Sequence, residues 1–281
     1  MRILITGATG FIGQPLCEAL AEKSHELLVV SRSPDKARDA LPEGTEVRAA
    51  VADFADAAPE AVINLAGEPI AEGRWTDEKK RKIVESRVEI TRAVVDLCSR
   101  LKTPPRVLVN ASAVGYYGDQ GDRDVTEDTP PNHEFVHEIC DRWETEASNA
   151  EAHGVRVAIA RIGLVLDQGG GMLARTLTPF KLGVGGRLGD GKQYMPWIHR
   201  HDMVRILVFL LERDELKGPF NASAPNPVTN AEFTQTLANA LHRPAVLPAP
   251  AMALKIAFGE MSRLLLTGAK MRPKRLLETG F

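Results

Sequence analysis

The residues with the clearest chemical pattern are the three glycines of LITGATGFIG, at positions 7, 10 and 13. They lie between an apolar strand and a helix that is expected to begin near Phe11. Glycines at such a junction permit a tight turn, let the backbone approach a pyrophosphate, and leave helix N–H groups free for the anion. The loop therefore predicts a dinucleotide site, and a turn without a ligand is the alternative. The candidate contacts in this loop are Gly7, Thr9, Gly10, Phe11, Ile12 and Gly13.

A second candidate follows the second predicted strand, in VVSRSPDKAR. Sites selective for NAD often have an acid here that binds the ribose 2′-hydroxyl, whereas this chain has Ser31 and Arg32. A guanidinium can bind a 2′-phosphate through paired, charge-assisted hydrogen bonds, so the cofactor is predicted to be NADP(H). In the alternative, Ser33 caps a helix that begins at Pro34 and Arg32 is solvated. The two interpretations can hold together.

The elements that must position these residues are short apolar runs that alternate with helix-length segments up to residue 166. Near-continuous apolar runs are typical of parallel strands covered on both faces, so the pattern predicts an α/β fold with a Rossmann-type doubly wound sheet. The clearest helix is 76–101, which has one apolar face and is followed by two prolines. The predicted strands are 2–6, 26–31, 46–51, 61–66, 107–112 and 155–163.

After residue 166 the pattern changes. DQGGGM is expected to be a flexible break, and Asp202 is expected to cap a helix that runs to about Arg213. Thr229 and Glu232 form a capping box that opens the helix NAEFTQTLANAL. The predicted domains are a nucleotide-binding domain at 1–166, to which the chain returns at about 200–223, and a smaller substrate-binding lobe formed by 167–199 and 224–281.

Composition restricts the partners. The formal net charge is −2, so no strong field would attract nucleic acid or an anionic membrane. The longest apolar run, at 206–211, is too short to span a bilayer. The three cysteines form no CxxC pair and the chain starts directly with a strand, which together predict a cytoplasmic protein with reduced thiols. Both a monomer and a homodimer remain open.

Several motifs together carry a resemblance that spans nearly the whole chain. They are TGATGFIG, NLAGE (64–68), SAVGYYG (112–118), GDGKQYMPWIH (189–199) and NASAPNPVTNAEF (221–233). With them, the sequence resembles atypical extended short-chain dehydrogenases/reductases, and more narrowly the YfcH-like epimerase family proteins, a group of nucleoside-diphosphate-sugar epimerases. The resemblance implies a small C-terminal lobe that closes over a small-molecule substrate such as a nucleotide sugar. Related chains generally continue past PKRLLETGF, so an early end at Phe281 is expected.

The resemblance also implies roles for individual residues. Asp53 is expected near the adenine, and the loop of Leu65, Ala66 and Gly67 beneath a cofactor ribose. Lys82, Arg87 and Arg161 are expected to face the cofactor. Arg87 also interrupts an apolar helix face, which suggests an anionic partner, although an ion pair with Glu85 or Glu89 is an equal alternative. Arg161, which ends an apolar strand, has the same two alternatives. The substrate-closing segment contributes Gln193, Trp197 and His199, unless its glycines form only a mobile hinge.

The ordinary members of the resembled group use a Ser/Thr, a Tyr and a Lys. Their tyrosine exchanges a proton with the substrate hydroxyl, while the lysine lowers the pKa of that tyrosine and binds the nicotinamide ribose. Counting back from Glu144, the tyrosine position holds Val136 and the lysine position holds Cys140. Ser112 or Ala113 occupies the serine position. The usual pair is therefore missing.

Nearby side chains could replace that pair. Tyr116 and Tyr117 follow the fifth strand at its carboxyl end, where ligands bind in open α/β sheets, so these two and Ser112 are the catalytic candidates. For Tyr117, packing against the second lobe is an equal alternative. His137 could act near neutral pH, although a partly exposed helix histidine is the commoner case. His199 and His201 have no third ligand at a suitable spacing, so no metal is predicted.

Two functions remain open from the sequence. One is an NADP(H)-dependent oxidoreductase or epimerase that acts on a polar hydroxyl substrate. The other is a non-catalytic NADPH-binding regulator or scaffold, of the kind associated with cell division. The second hypothesis also predicts an exposed apolar patch for a partner.

Overall fold

The computed structural model describes residues Met1–Phe281 and contains thirteen strands and ten α-helices. The strands are β1 (Arg2–Thr6), β2 (Glu26–Val30), β3 (Glu46–Arg48), β4 (Ala61–Asn64), β5 (Val107–Ala113), β6 (Asp124–Val125), β7 (Arg156–Ile162), β8 (Leu164–Asp167), β9 (Tyr194–Met195), β10 (Trp197–His199), β11 (Gly218–Ala222), β12 (Val228–Thr229) and β13 (Lys270–Met271). The helices are α1 (Gly13–Glu22), α2 (Pro34–Ala40), α3 (Asp77–Arg100), α4 (Phe135–Ser148), α5 (Gly171–Lys181), α6 (Arg200–Glu212), α7 (Asn230–Leu241), α8 (Ala251–Phe258), α9 (Arg263–Leu266) and α10 (Lys274–Glu278).

Seven parallel strands form the central sheet, in the order β11-β7-β5-β4-β1-β2-β3. The chain starts in the middle, at β1, and moves outwards first through β2 and β3, then through β4, β5 and β7. The reversal of direction at β1 and β4 creates a crevice at the carboxyl ends of these strands, which is where open α/β sheets bind ligands. The predicted Rossmann-type fold is confirmed.

Apolar residues cover both faces of this sheet. Within β1, Ile3 and Ile5 point into one core with α1 and α6, whereas Leu4 points into the other core with α3 and α4. Because every central strand is buried on both faces, its sequence lacks polar alternation, which explains the continuous apolar runs.

The two helices with the strongest sequence signals form as predicted. Helix α3 is capped by Thr76, whose side chain accepts from the Lys79 N–H at 3.1 Å. Helix α7 is opened by the predicted capping box, in which Thr229 and Glu232 each bond to the other's backbone N–H. Local hydrogen bonding sets both boundaries, and so the sequence alone was sufficient to locate them.

One local prediction was wrong, and two other expectations change in detail. In the DQGGGM segment, antiparallel bridges Leu166–Gly171 and Asp167–Gly170 form a tight turn that leads directly into α5, and its flexibility stays a prediction. His199, not Asp202, caps α6, since its Nδ1 accepts from the His201 N–H at 3.2 Å. Ser33 stands at the start of α2, but its side chain makes no capping bond.

The remaining elements surround the crevice. Three two-stranded sheets lie outside the central sheet: β8 pairs with β10, β9 with β12, and β6 with β13. The last of these pairs connects the end of the chain to the segment between β5 and α4. The segment that joins β4 to α3 contacts two of the late helices. Arg175 of α5 donates to the carbonyl of Ala71 at 3.1 Å, and Arg74 donates to the carbonyl of Ala257 at 3.1 Å. No helix combines the length and the apolar character needed to cross a membrane.

Candidate functional site

Steric constraints fix the glycine loop between β1 and α1. Gly7 has a φ of +72°, and a Cβ there would lie 2.8 Å from the carbonyl carbon of Leu65. At Gly13 a Cβ would lie only 2.2 Å from the Gly7 oxygen. These two glycines therefore serve the packing of strand, turn and helix. Gly10 is exposed, and a Cβ there would lie 3.1 Å from the Gly7 oxygen.

Replacing Gly13 with Ala should destabilise the fold by about 1–3 kcal/mol, because the added methyl group overlaps with rigid backbone. Urea denaturation of the variant and the wild type measures the difference. Gln14→Ala is the matched control, since Gln14 is exposed one residue further along the same helix and its replacement favours helix formation. A Gly13→Ala variant as stable as the wild type would contradict the tight contact.

The same loop presents unpaired backbone donors. The N–H groups of Phe11 and Ile12 have no acceptor within the chain, and no acidic side chain lies in the first turn of α1. A helix N-terminus with free N–H groups carries partial positive charge and suits an anion. The exposed backbone at Thr9 and Gly10 leaves room for one. The geometry therefore fits a phosphate group.

Arg32 lies at the carboxyl end of β2, next to this loop. Its guanidinium is exposed and forms no ion pair, while the neighbouring Ser31 Oγ accepts from the Ser33 N–H at 3.2 Å. The pKa of Glu68 is lowered, first by its hydrogen bond to Lys79 and also by the charge of Arg32 among others. Arg32 is thus a free cation that faces the crevice from the β2 side.

Polar side chains that the sequence analysis missed support the loop after β4. Thr6 Oγ1 donates to Asn64 Oδ1 at 2.5 Å and accepts from the Ala66 N–H at 3.2 Å. Asn64 in turn donates to Thr91 at 2.8 Å and to Asn110 at 2.6 Å. All four side chains are buried. Because buried amides and hydroxyls need partners, this chain of bonds holds Leu65, Ala66 and Gly67 at the edge of the crevice. Their signal was a polar residue within an otherwise apolar strand or helix face.

The two basic residues predicted on α3 behave differently. Lys82 is exposed and pairs with Glu78 at 2.7 Å. Arg87 is half-buried and donates from one Nη to the carbonyls of Ile83, at 2.8 Å, and Glu68, at 3.1 Å. The ion pair considered for Arg87 does not form, since Glu85 pairs with Arg81 instead. Burial lowers the pKa of Arg87, with Cys140 and Glu68 acting against that shift.

Arg161 has a different role from the predicted one. It forms a buried, bidentate ion pair with Glu144, in which the Nε–Oε1 distance is 2.9 Å and the Nη2–Oε2 distance is 2.8 Å. Its remaining Nη1 donates to the Tyr117 hydroxyl at 3.0 Å. Burial acts to lower the pKa of Arg161, but its bonds to Glu144 outweigh burial and raise it. Every guanidinium nitrogen is used inside the protein, so the assignment to the cofactor is corrected.

Two of the catalytic candidates are bonded in the same buried cluster. Ser112 Oγ donates to Glu144 Oε1 at 2.6 Å, and the Tyr117 hydroxyl donates to Asn221 Oδ1 at 2.6 Å. Tyr117 is fully buried, which raises its pKa to about 12. These contacts favour the packing alternative for Tyr117, because its hydroxyl faces protein atoms and not the crevice. Ser112 is likewise 2% exposed and already has its proton engaged.

Val136 and Cys140, which occupy the positions expected for the usual tyrosine and lysine, contact the start of the turn after β5. A Cβ at Gly115 would lie 3.2 Å from the Val136 Cβ and 3.5 Å from the Cys140 Sγ. Val136 also packs against the cluster of Trp75, Ile139 and Met261. Burial raises the pKa of Cys140 to about 11, so its thiol stays neutral. Val136 cannot transfer a proton, and Cys140 cannot carry a positive charge.

Tyr116 and His137 line an open cleft of about 610 Å³ beside these positions. Nδ1 of His137 lies 2.7 Å from the Tyr116 carbonyl oxygen, which can only accept, so Nδ1 carries the proton and Nε2 is free to accept one. His137 is buried, unlike the partly exposed histidine considered from the sequence. The Tyr116 ring stacks on the Arg161 guanidinium at 3.3 Å. The two side chains are thereby fixed at the edge of the cleft.

The predicted substrate segment is held by its own polar groups. The Gln193 amide donates to the carbonyls of Leu188, at 3.1 Å, and Leu265, at 2.7 Å, so it ties two loops together. Trp197 donates to the Asn226 carbonyl at 3.2 Å. His199 is exposed and caps α6. No three His, Cys, Asp or Glu side chains are arranged to hold a metal ion.

Asp53 lies in the short 3₁₀ helix that follows β3. Its carboxylate accepts from the Ala50 N–H at 2.9 Å, and the side chain is exposed. Its expected contact with an adenine stays a prediction. The described crevice thus brings together the glycine loop, Ser31 and Arg32, the β4 loop and Arg87, but not Arg161.

Two family models match this chain. Residues 3–223 match the NAD dependent epimerase/dehydratase family, and residues 249–281 match a domain of unknown function. The chain is 40% identical, over 100% of its length and 82% of the relative, to the chloroplastic "Epimerase family protein SDR39U1 homolog" of Arabidopsis thaliana. The structure is similar, with a TM-score of 0.89 and 34% identity over 100% of this chain and 94% of the other, to human epimerase family protein SDR39U1 crystallised with NADPH. A nucleoside-diphosphate sugar epimerase from Corynebacterium glutamicum gives a TM-score of 0.79 and 30% identity over 99% of this chain and 54% of its own.

Proposed function

The chain belongs to the NAD dependent epimerase/dehydratase family, and from this premise we propose that it binds NADP(H) and acts as an oxidoreductase or epimerase on a polar hydroxyl substrate. The main support for NADP(H) over NAD(H) is Arg32, an exposed cation that forms no ion pair and lies beside a loop with free N–H groups. The human relative crystallised with NADPH supports the same choice.

The residues around the crevice fit the parts of this cofactor. The loop from Gly7 to Gly13 would bind the pyrophosphate, and Ser31 and Arg32 would bind the 2′-phosphate. Asp53 would lie near the adenine, and Leu65 to Gly67 beneath a ribose. When bound, the cofactor supplies hydride transfer at the nicotinamide. The fixed backbone of the loop and of the β4 segment would position it against the substrate.

Proton transfer would fall to side chains outside the usual pair. Ser112 and Tyr117 have their hydroxyl protons committed to buried acceptors. Tyr116 and His137 remain, and both line the open cleft next to Val136. His137 can accept a proton at Nε2 while its Nδ1–H stays on the Tyr116 carbonyl. We propose that one of these two side chains exchanges the proton with the substrate hydroxyl.

The proposed substrate class is a nucleotide sugar or a similar polar hydroxyl compound. The similarity to the Corynebacterium glutamicum epimerase supports this class. The lobe formed by 167–199 and 224–281 would close over it. Gln193 would act there by holding the loops in place, since both of its amide protons are bonded to carbonyls.

A deuterium-exchange assay tests the enzyme proposal. The purified protein is first titrated with NADPH by calorimetry, then incubated with a panel of nucleotide sugars and polyols in the presence of NADP⁺ and NADPH deuterated at the nicotinamide C4. NADP⁺ would oxidise the substrate hydroxyl to a keto group, and the deuterated NADPH would reduce it again, so that deuterium enters the substrate at the carbinol carbon. We expect exchange with at least one compound, reduced about 100-fold or more by Tyr116→Phe combined with His137→Gln. Val165→Ala, at a position outside the proposed site, is the control. Exchange unaffected by the double variant would contradict the proton assignment.

A non-catalytic regulator is the second candidate, and two observations favour it. The positions of the usual catalytic residues hold Val136 and Cys140. The second lobe also exposes apolar side chains, namely Leu182, Val184, Val246, Leu247, Met252 and Ile256. Tight NADPH binding without exchange for any member of the panel would favour this candidate over the enzyme.

A further inference from the structure

Large exposed apolar side chains are concentrated in one part of the second lobe. The structure exposes eight such side chains, and seven of them lie within residues 182–184 and 246–258. The eighth, Leu277, lies on α10. Single exposed apolar residues are common on protein surfaces, whereas a cluster of them marks a surface that contacts another body. The seven clustered side chains are called the apolar patch below.

Backbone contacts bring the two segments of the apolar patch together. Leu188 and Ala249 form a parallel bridge. Two residues before Leu188, a Cβ at Gly186 would overlap with the carbonyl group of Leu247, so the two backbones touch there as well. Because the bridge is parallel, the chain that leads into Leu188 runs beside the chain that leads into Ala249. The exposed side chains of both segments therefore belong to one surface.

Helix α8 forms the largest part of the patch and has little packing within the protein. Of its eight residues only Leu254 is buried, whereas Met252 and Ile256 are each 68% exposed. These two are four positions apart, so they lie on the same side of the helix, opposite Leu254. A helix that is apolar on most sides is normally covered by other groups. The outer side of α8 has no such cover within the chain.

The charges beside the patch have one sign. Residues 181–189 and 242–259 contain no aspartate or glutamate, although the formal net charge of the whole chain is −2. Their basic residues are Lys181, Arg187, Arg243 and Lys255. All four are exposed, and none forms an ion pair. The acid that follows the second segment, Glu260, pairs with Lys80 of α3. The apolar patch therefore has a positively charged rim.

This combination favours an anionic lipid surface as the contacting body. An aliphatic face edged by lysine and arginine is typical of segments that enter the head-group region of a bilayer, where the basic groups meet lipid phosphates. A second copy of this chain is disfavoured, because a symmetric contact would place the same basic groups opposite one another. The patch also contains no tyrosine or tryptophan, in which protein interfaces are enriched.

We propose that the apolar patch docks onto the surface of a bilayer that contains anionic phospholipids. The apolar side chains of α8 and of the neighbouring segments enter the head-group region, and the four basic residues contact the lipid phosphates. The net charge of the whole chain predicts no attraction to such a surface, whereas the local charge of the second lobe does. This docking is independent of the proposed NADP(H) chemistry.

Co-sedimentation of the full chain with lipid vesicles tests the proposal. The protein should bind vesicles of phosphatidylcholine and phosphatidylglycerol at least about 10-fold more tightly than vesicles of phosphatidylcholine alone, since each basic group near an anionic surface contributes roughly 1 kcal/mol. Added salt should weaken this binding, because it screens the charges.

A double variant tests the apolar contribution. Met252→Gln combined with Ile256→Gln removes two exposed apolar side chains and should weaken binding to the mixed vesicles about 10-fold or more. Glutamine favours helix formation, so α8 should persist, and circular dichroism checks this. Leu277→Gln is the matched control, because Leu277 is an exposed leucine outside the patch. It should leave binding within about twofold of the wild type.

A second double variant tests the charged rim. Lys181→Gln combined with Lys255→Gln should weaken binding to the mixed vesicles about 10-fold and reduce its dependence on salt. Lys102→Gln is the control, since Lys102 is exposed on the other lobe and forms no ion pair. It should change neither property.

Three outcomes would overturn the proposal. They are equal binding to both kinds of vesicle, unchanged binding in the Met252→Gln, Ile256→Gln variant, and a dimer in analytical ultracentrifugation that this variant abolishes, which would assign the patch to a second copy. Absence of vesicle binding would equally refute it and would favour a protein with an acidic surface. Calorimetry with NADPH measures the proposed cofactor separately, so failure of one proposal leaves the other standing.

Discussion

Replacing Arg32 with Asp should weaken NADPH binding on the order of 100-fold and change NADH binding by less than about threefold. The 2′-phosphate would lose a charge-assisted, paired hydrogen bond and would meet a carboxylate. NADH has only a hydroxyl at that position, and this hydroxyl can donate a hydrogen bond to the aspartate carboxylate. Parallel calorimetric titrations of the two cofactors measure both changes.

The exposure of Arg32 makes a control for overall charge necessary, since salt and distant charges also affect anion binding. Lys102→Asp makes the same change in net charge at the amino-terminal edge of the sheet, before β5, and should alter NADPH affinity by less than about twofold. Equal losses for NADPH and NADH in Arg32→Asp would refute the assignment of Arg32 to the 2′-phosphate.

Replacing Arg161 with Met should lower the free energy of unfolding by about 3–5 kcal/mol. The change would leave the Glu144 carboxylate in the core with only the Ser112 hydroxyl as a partner. A buried carboxylate without its cation is costly, and this cost is the reason for the loss. Urea denaturation of the variant and the wild type measures it.

The double variant Arg161→Met with Glu144→Leu separates the ion pair from the packing of its side chains. Removing both charges leaves no uncompensated carboxylate, so the double variant should be more stable than Arg161→Met alone. If the losses of Arg161→Met and the double variant were equal, the cost would come from packing and not from an unpaired charge.

The sequence was sufficient for features set by local interactions. The apolar runs of β1, β2 and β4 predicted a parallel sheet because residues buried on both faces leave no polar alternation. The capping box at Thr229 located α7 because all of its bonds lie within four residues. At the glycine loop, strand, turn and helix follow one another directly, and the structure adds only the contacts that require Gly7 and Gly13.

The errors arose where a side chain's partner is distant in sequence. Arg161 was expected to face the cofactor because it ends an apolar strand, but Glu144 of α4 lies against that strand and neutralises it. Tyr117 and Asn221 are 104 positions apart, and no local pattern indicates that their side chains meet. The helix α5 was missed because its start depends on bridges within a glycine turn and not on helix propensity.

The sequence by itself determined the apolar strands of the central sheet, the glycine loop between β1 and α1, the arginine after β2, and Val136 and Cys140 at the positions expected for the usual tyrosine and lysine. Each of these depends on residue type and short-range spacing. Only the tertiary structure decided which charged groups are free. Glu144 compensates the charge of Arg161, and buried acceptors engage the hydroxyl protons of Ser112 and Tyr117, whereas Arg87 lies near Cys140 and forms no ion pair. Electrostatic interactions depend on distance in space, and that distance is set by packing and not by position along the chain.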